Sequence, residues 1–192
     1  MSGLLIVLIV VVVRAVLVIG IYNRRVALRQ NTNQAFADVD VQLKQRHDLI
    51  PNLVETVKGY AAHERGTLEE VIQARNAAVS AERTGDPKTM AQAEGVLGAA
   101  LGRLIALAEA YPDLKANANF QPLQTELGDI ENKLAAARRF FNNAVGEYNT
   151  AREQFPAVLF AGMFGFGARD FFDVGQDSRA SMEAAPPQVK FN

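Results

Sequence analysis

Hydrophobic side chains recur at alternating steps of three and four residues along residues 122–155. The apolar positions are Leu123, Leu127, Ile130, Leu134, Ala137, Phe141, Ala144, Tyr148, Ala151 and Phe155. This spacing averages about 3.5 residues, so these side chains share one stripe of a helix while charged residues fill the other faces. Pro122 suits a first helical turn, and Pro156 cannot continue a helix. The pattern therefore predicts a helix about 50 Å long that needs partner helices of similar length.

A second stripe of the same kind runs along residues 31–60. Its positions are Phe36, Val39, Leu43, Arg46, Ile50, Leu53, Val57 and Tyr60. Arg46 is the only charged side chain in the stripe. Because an unpaired buried guanidinium is too costly, we expect Arg46 to meet a carboxylate, either Glu109 or Asp48. Pro51 removes a backbone donor, which predicts a kink or short break over residues 47–50, with Asp48 accepting the freed amides.

Two further helical patterns cover residues 69–82 and 90–111, and the turn chemistry of residues 84–87 separates them. Thr89 or Asp86 is placed to cap the second helix. That helix contains three interior glycines, which cost about 2–3 kcal/mol of helix propensity: Gly95, Gly98 and Gly102. Close approach of a neighbouring helix would offset this cost. The neighbour could belong to the same chain or to a second subunit.

The residues before these patterns form an apolar run, residues 4–21, that only Arg14 interrupts. As a helix the run would span about 27 Å, close to the roughly 30 Å of a bilayer core, which predicts a transmembrane span. A buried core helix and a cleaved signal peptide are the alternatives; no basic residue precedes the run, which disfavours the signal peptide. Arg14 would cost about 3 kcal/mol at mid-membrane, so it should snorkel or face another copy of the helix. The arginines after the span predict an outside N-terminus and a cytoplasmic body: Arg24, Arg25 and Arg29.

Aromatic residues and glycines alternate in the chain after Pro156. The aromatic positions include Phe160, Phe164, Phe166, Phe171 and Phe172. A flexible linker would not be this aromatic. The segment is expected either to dock as a cap on the end of the bundle or to contact a membrane interface or a partner.

Composition excludes several functions. The net charge of −1 and the lack of a basic run with interleaved aromatics argue against nucleic-acid binding, and the absence of cysteine excludes disulfides and thiolate metal sites. His47 and His63 lie sixteen residues apart, and neither has a glutamate three residues before it, so the di-iron and zinc helix motifs are missing. Both are expected to be surface or capping groups. The sequence predicts no enzyme activity, no cofactor and no metal.

Residues 46–60, RHDLIPNLVETVKGY, resemble the bacterial LemA family, and residues 109–117, EAYPDLKAN, resemble its second motif. Further matching positions include Phe120, Asn142, Tyr148, Asn149, Phe155, Pro156, Pro186, Pro187, Val189 and Phe191. The resemblance covers residues 22–191. It implies a membrane-anchored cytoplasmic helical bundle with no established catalytic residues. The relatives that the resemblance implies include a protein of magnetosome membrane formation. Members of the family are often encoded near membrane metalloproteases.

These patterns predict an all-α protein with a transmembrane anchor (residues 1–22), an antiparallel bundle of long helices (23–156), and an aromatic and glycine-rich segment with a polar tail (157–192). The predicted function is a non-enzymatic scaffold that self-associates at the bacterial inner membrane. The alternative is an adaptor or signalling module that presents its bundle to a membrane protease or sensor. The expected partners are the lipid bilayer and further copies of the chain, or a membrane protein in the alternative. The candidate interface residues are Arg14, Gly95, Gly98, Gly102, Phe160, Phe164, Phe166, Phe171 and Phe172.

Overall fold

The structure, a computed structural model, describes residues 2–156, 158, 162 and 164–173. Every regular element in these residues is a helix, which confirms the predicted all-α class. The helices are α1 (Ser2–Lys58), α2 (Arg65–Glu82), α3 (Pro87–Glu109), α4 (Pro112–Lys115) and α5 (Phe120–Glu153).

Helix α1 is a single rod of 57 residues, about 85 Å long. Its first part stands outside the bundle, with residues 4–17 all exposed. Among the described residues, two helices are long and apolar enough to cross a membrane, judged by length and composition: Gly3–Lys58, whose most apolar window is not buried at all, and Pro87–Glu109, which is partly buried in the bundle. The apolar run and the bundle therefore share one continuous helix. The division of the chain at residue 22 stays a prediction, because no change in secondary structure marks it.

The sequence predicts a kink or a short break over residues 47–50, and the break is wrong. Helix α1 continues through the proline, whose own side chain is exposed. Ile50 and Leu53 on either side are fully buried, so packing against neighbouring helices holds the backbone helical across the missing donor. Asp48 is also exposed, and no described hydrogen bond ends on its carboxylate.

Helix α5 packs antiparallel along α1. At one end Arg25 of α1 donates to the carbonyl of Arg152 of α5 (Nη2–O 3.0 Å), and some thirty ångströms further along α1 Arg46 pairs with Glu131. The α1 stripe and the α5 stripe predicted from the sequence face each other across this contact. The last positions of the two stripes, Tyr60 and Phe155, are exposed because the helices end at Lys58 and Glu153.

Helices α2 and α3 form an antiparallel hairpin that covers the half of α1 farther from the apolar run. Arg103 of α3 donates to Glu70 of α2 (Nε–Oε2 3.1 Å), and Arg75 of α2 donates to the backbone carbonyl of His47 in α1 (2.8 Å). Gly85 turns the chain between the two helices at φ +65°, a left-handed conformation that glycine adopts at no steric cost.

Two side chains set the starts of α3 and α5. The Asp86 carboxylate accepts from the backbone N–H of Lys88 (3.4 Å) and of Thr89 (2.9 Å), and it also accepts from the Thr89 hydroxyl. Of the two candidates for the N-cap of α3, Thr89 and Asp86, the cap is therefore Asp86. At α5, the Asn117 side chain accepts from the N–H of Phe120 (3.2 Å).

Two hydrophobic clusters fill the bundle, one after the other along its length. The span-proximal cluster joins α1, α3, α5, the end of α2 and the C-terminal segment, and it includes Val39, Leu43, Ala81, Met90, Ala91, Leu134, Phe141 and Phe172. The distal cluster draws on all five helices and includes Ile50, Leu53, Val71, Leu97, Leu104, Leu114 and Ile130. The boundary between them falls at residues 44–48 of α1 and 92–96 of α3, where the buried charges lie.

Candidate functional site

A buried layer of charge separates the two hydrophobic clusters. Arg46 of α1 lies at its centre and pairs with Glu94 of α3 (Nη1–Oε2 2.5 Å) and with Glu131 of α5 (Nη2–Oε1 2.6 Å). The side chains of Arg46 and Glu94 are 4% and 2% exposed. The prediction that Arg46 is buried and paired with a carboxylate is confirmed. The named partners, Glu109 and Asp48, are wrong, because both are exposed and Arg46 pairs with Glu94 and Glu131 instead.

The imidazole of His47 belongs to the same layer. Its Nε2 lies 2.6 Å from Oε1 of Glu94, and its Nδ1 lies 3.4 Å from Oε2 of Glu82 at the end of α2. The side chain is 3% exposed, so the expectation of a surface or capping role is wrong for His47. His63 is exposed, as expected.

Glu94 is the residue that sequence reasoning missed. It follows Met90 by four residues and precedes Leu97 by three, so it occupies the buried stripe of α3. A carboxylate in an otherwise apolar stripe carries the same signal as Arg46 in the stripe of α1. Two opposite charges, each alone in an apolar stripe, indicate a pair across the interface.

Two further groups surround the layer, and their environments shift their proton affinities. Burial raises the pKa of Asp40 to about 6, and the charge of Glu82 adds to the effect. Burial lowers the pKa of Arg138, against the opposing attraction of Glu131. Among the described residues no three His, Asp or Glu side chains are grouped so that they could hold a metal ion. The arrangement is suited to fixing the register of α1, α3 and α5 against one another, because the charges can pair in one alignment only.

The α3 glycines do not share one role. A methyl group on Gly98 would lie 3.4 Å from Nη2 of Arg46, so the glycine leaves room for the guanidinium. A methyl group on Gly102 would meet nothing within 4 Å, so close helix approach within the chain is wrong at this position. Gly102 instead lines an open groove of about 470 Å³ between α3 and α5. Gly95 is half-buried.

The C-terminal segment, residues 164–173, runs back along α5 and is held by asparagine side chains. Asn149 donates to the carbonyl of Arg169 (2.9 Å) and accepts from its N–H (3.0 Å). Asn142, two helical turns away, does the same for Phe172 (3.1 and 2.8 Å). Tyr148 adds a bond from its hydroxyl to the carbonyl of Gly167 (2.9 Å). The segment therefore docks on its own bundle, the first of the two alternatives.

The docked segment covers α1 where the apolar run ends. Phe166 is 3% exposed and packs against Tyr22 (centroids 5.7 Å apart), with the guanidiniums of Arg25 and Arg29 over its ring at 5.6 and 5.4 Å. Phe164 packs edge-on against Tyr22 (5.3 Å) but stays 43% exposed. Among the other interface candidates, Phe171 is exposed, Phe172 is buried, and Phe160 lies outside the described residues. Arg14 is exposed.

Arg25 lies at the junction of α1, the end of α5 and the docked segment. Its Nη2 donates to the carbonyls of Ala151 (3.4 Å) and Arg152 (3.0 Å), where helix α5 has no further N–H groups to satisfy them. Its Nε and Nη1 are buried, and no acceptor in the described part of the chain reaches them. Burial lowers the pKa of this guanidinium. We call Tyr22, Arg24, Arg25, Arg29, Phe164 and Phe166 the arginine–aromatic collar.

These features define a class: all-helical bundle proteins whose first helix continues beyond the bundle as an exposed apolar rod. The chain belongs to the LemA family, which it matches over residues 35–191. It is similar to the magnetosome protein MamQ of Magnetospirillum gryphiswaldense and to magnetosome proteins MamQ 1 and MamQ 2 of Paramagnetospirillum magneticum, with 26% identity over 79% of this chain in each case. The matched region makes up 64% of the length of these relatives.

Proposed function

We propose that this protein is a non-enzymatic scaffold that is anchored in a membrane by the first part of α1 and self-associates there. The continuity of α1 carries the proposal, because the apolar run and the buried stripe of the bundle belong to one helix, Ser2–Lys58. A flexible linker would let the distance and orientation between the bundle and its anchor vary. A continuous helix instead holds the bundle at a fixed height and orientation above the bilayer.

The exposed surface of the rod supports the membrane anchor. Ten large apolar side chains in succession, residues 4–13, are between 44% and 81% exposed. Soluble monomers rarely expose apolar patches beyond a few hundred Å². An exposed surface of this size is therefore expected to be covered by lipid. The arginines that follow the run favour the inner membrane with the N-terminus outside and the bundle in the cytoplasm.

Arg14 supports self-association. It lies near the middle of the apolar run, and no residue in the described part of the chain pairs with it. A guanidinium at mid-membrane costs about 3 kcal/mol on insertion scales, and polar residues inside membranes usually face other helices. Contact between spans would lower that cost, whereas an isolated span would carry all of it.

A structural role also agrees with the chemistry of the bundle. Within the buried charge layer, Glu94 is engaged by Arg46 and His47, and the relatives are named as magnetosome proteins, not as enzymes of a stated reaction. The adaptor alternative shares the same anchor and bundle. It differs in predicting a monomer that captures a distinct protein.

The mass of the detergent-solubilised full chain tests the proposal. We expect a defined multiple of the monomer mass by light scattering, with detergent mass subtracted. Arg14→Leu should shift the distribution towards monomer if contact between spans contributes, whereas the control Val13→Leu should leave it unchanged. A wild-type protein that is monomeric at all concentrations would overturn self-association. A monomer that retains one distinct membrane protein would support the adaptor instead.

The orientation has its own test. The chain contains no cysteine, so a single cysteine at Thr84, in the turn between α2 and α3, gives an unambiguous label site. An impermeant thiol reagent should not label it in intact cells and should label it after lysis. Labelling in intact cells would reverse the assigned orientation.

A further inference from the structure

The arginine–aromatic collar lies at the height where lipid headgroups begin. The apolar run ends at Ile21, and Arg24 and Arg25 follow within about 6 Å along the helix axis. The headgroup zone is roughly 5–8 Å deep on each side of the hydrocarbon core. Tyr22 and Phe164 stand at the same level, where amphipathic aromatic rings are favoured.

A cavity of about 210 Å³ opens beside the collar, and Arg24 and Arg25 of the collar line it. Its lining combines two arginines with apolar groups and the end of α5: Ile21, Arg24, Arg25, Ala151, Gln154, Phe155 and Pro156. Guanidiniums beside an apolar wall match an amphiphile with an anionic head and a hydrocarbon tail. Ile21 belongs to the apolar run, so the apolar side of the cavity faces the bilayer.

The guanidinium of Arg25 has donors that the chain does not use. Arg25 is 2% exposed, and its Nε and Nη1 find no acceptor among the described residues. The Nε of Arg152, beside it at the end of α5, is also buried without an acceptor. Buried donors of this kind are costly unless a further group completes their hydrogen bonds.

The charge of the collar is not balanced within the described residues. Of the arginines at this end of the bundle, only Arg152 forms an ion pair there, with the exposed Glu153 (2.8 Å). Arg24 is exposed, and Arg25 and Arg29 contact the Phe166 ring. The field at the mouth of the cavity is therefore positive, and it favours an anion with several acceptor oxygens.

We propose that this cavity binds the phosphate headgroup of an anionic phospholipid, with Arg24 and Arg25 as the recognising residues. The acyl chains lie along Ile21 and the apolar run, and Tyr22 and Phe164 rest at the interface beside them. The bound headgroup fixes the rotation of α1 about its axis as well as its depth. This inference rests on the proposed membrane anchor but does not depend on self-association.

Lipid retention by the full-length protein tests the site. The purified protein in neutral detergent is titrated with phosphatidylglycerol or phosphatidylcholine, and bound lipid is counted by native mass spectrometry. We expect one phosphatidylglycerol per chain to bind in preference to phosphatidylcholine. Arg24→Gln should weaken that binding roughly fivefold. Arg24 is exposed, so its replacement leaves the fold intact, and Arg25→Lys then tests the guanidinium while keeping the charge.

The matched control is Arg65→Gln, which removes an exposed arginine at the start of α2, seven residues after the end of α1 that is farther from the apolar run. Equal loss in Arg24→Gln and Arg65→Gln, or no preference for phosphatidylglycerol, would overturn the site. Displacement of the lipid by millimolar glycerol phosphate would show a soluble phosphoester site and overturn the lipid assignment. Recovery of the chain from the soluble fraction without detergent would instead overturn the anchor itself, so the two failures are distinguishable.

Discussion

Arg46 makes its ion pairs with helices that are remote from it in the sequence, and it does so almost without contact with water. Both nitrogens at the end of its guanidinium are used, one by Glu94 and one by Glu131. Replacing such a group with an apolar side chain of similar volume can be neutral, but removing one partner leaves an uncompensated buried charge. The layer therefore specifies an alignment more than it adds stability.

Arg46→Ala should accordingly destabilise the bundle by about 3–5 kcal/mol, because Glu94 would stay buried without the guanidinium and with only the His47 imidazole beside it. Arg103→Ala is the control. It breaks a pair with Glu70 in which both side chains are about half exposed, and such pairs contribute about 1 kcal/mol or less. Urea unfolding of the detergent-solubilised chain, followed by helical circular dichroism, measures both. Equal losses of unfolding free energy in the two variants would show that the buried pairs of Arg46 contribute no more to stability than an exposed pair.

The pairing at Arg46 also shows where prediction from the sequence ends. A charge inside an apolar stripe is visible in the sequence, so burial and the need for a carboxylate were predictable. The choice of Glu94 over Glu109 depends on how the α2–α3 hairpin is rotated and shifted on α1. That placement is set by packing over the whole bundle, which no local pattern encodes.

At the scale of helices, the periodicity of α5 is the most reliable signal in the chain. The predicted and observed ends differ by two residues at each end, because a sustained 3.5-residue repeat and flanking prolines are local properties. The prediction of a break at Pro51 is wrong because packing outweighs the local preference. Proline disfavours the helix locally, but buried neighbours on both sides keep α1 helical through it.

The glycines of α3 give a prediction at this scale. Gly102 faces open space, so Gly102→Ala should stabilise the isolated bundle by up to about 1 kcal/mol through helix propensity alone. Gly98→Ala is the comparison, because its methyl group would press on the Arg46 guanidinium and should offset the gain. Urea unfolding gives both values. A clear loss of stability in Gly102→Ala would mean that a neighbouring helix lies against it.

The same variant separates the two explanations left open for the glycines. If Gly102→Ala stabilises the bundle but lowers the mass of the detergent-solubilised assembly, the groove between α3 and α5 accepts another subunit. If stability rises and mass is unchanged, the glycine has no packing role in either setting.

At the scale of the whole molecule, the C-terminal segment meets α1 at the end of the apolar run. The C-terminal segment starts at the point where α1 leaves the bundle, with Phe164 and Phe166 on Tyr22, and runs back along α5 to Asn142, so residues far apart in sequence build one collar. The aromatic composition predicted that this segment would be more than a linker. It did not predict the docking position, because Asn142 and Asn149 match the family pattern but nothing in their spacing shows which part of the chain they bind.

The asparagines bond to the backbone of the segment, so this part of the docking does not depend on which side chains stand at Arg169 and Phe172. Asn142 and Asn149 each make two hydrogen bonds to one residue, at Phe172 and Arg169. Each bond contributes about 1 kcal/mol net. The four bonds together are enough to keep a short extended segment in place, with Phe166 as its apolar anchor.

The double variant Asn142→Ala with Asn149→Ala should release this segment and leave the helices intact. Trypsin would then cleave after Arg169 at least tenfold faster than in the wild type, since a protease needs an extended and undocked backbone. Asn143→Ala is the control, because Asn143 is the exposed neighbour on the same helix. Mass spectrometry of timed digests follows the cleavage, and circular dichroism checks helix content. Equal cleavage rates in all three proteins would mean that the amides do not hold the segment, and a loss of helix content would make the segment part of the core that the bundle needs to fold.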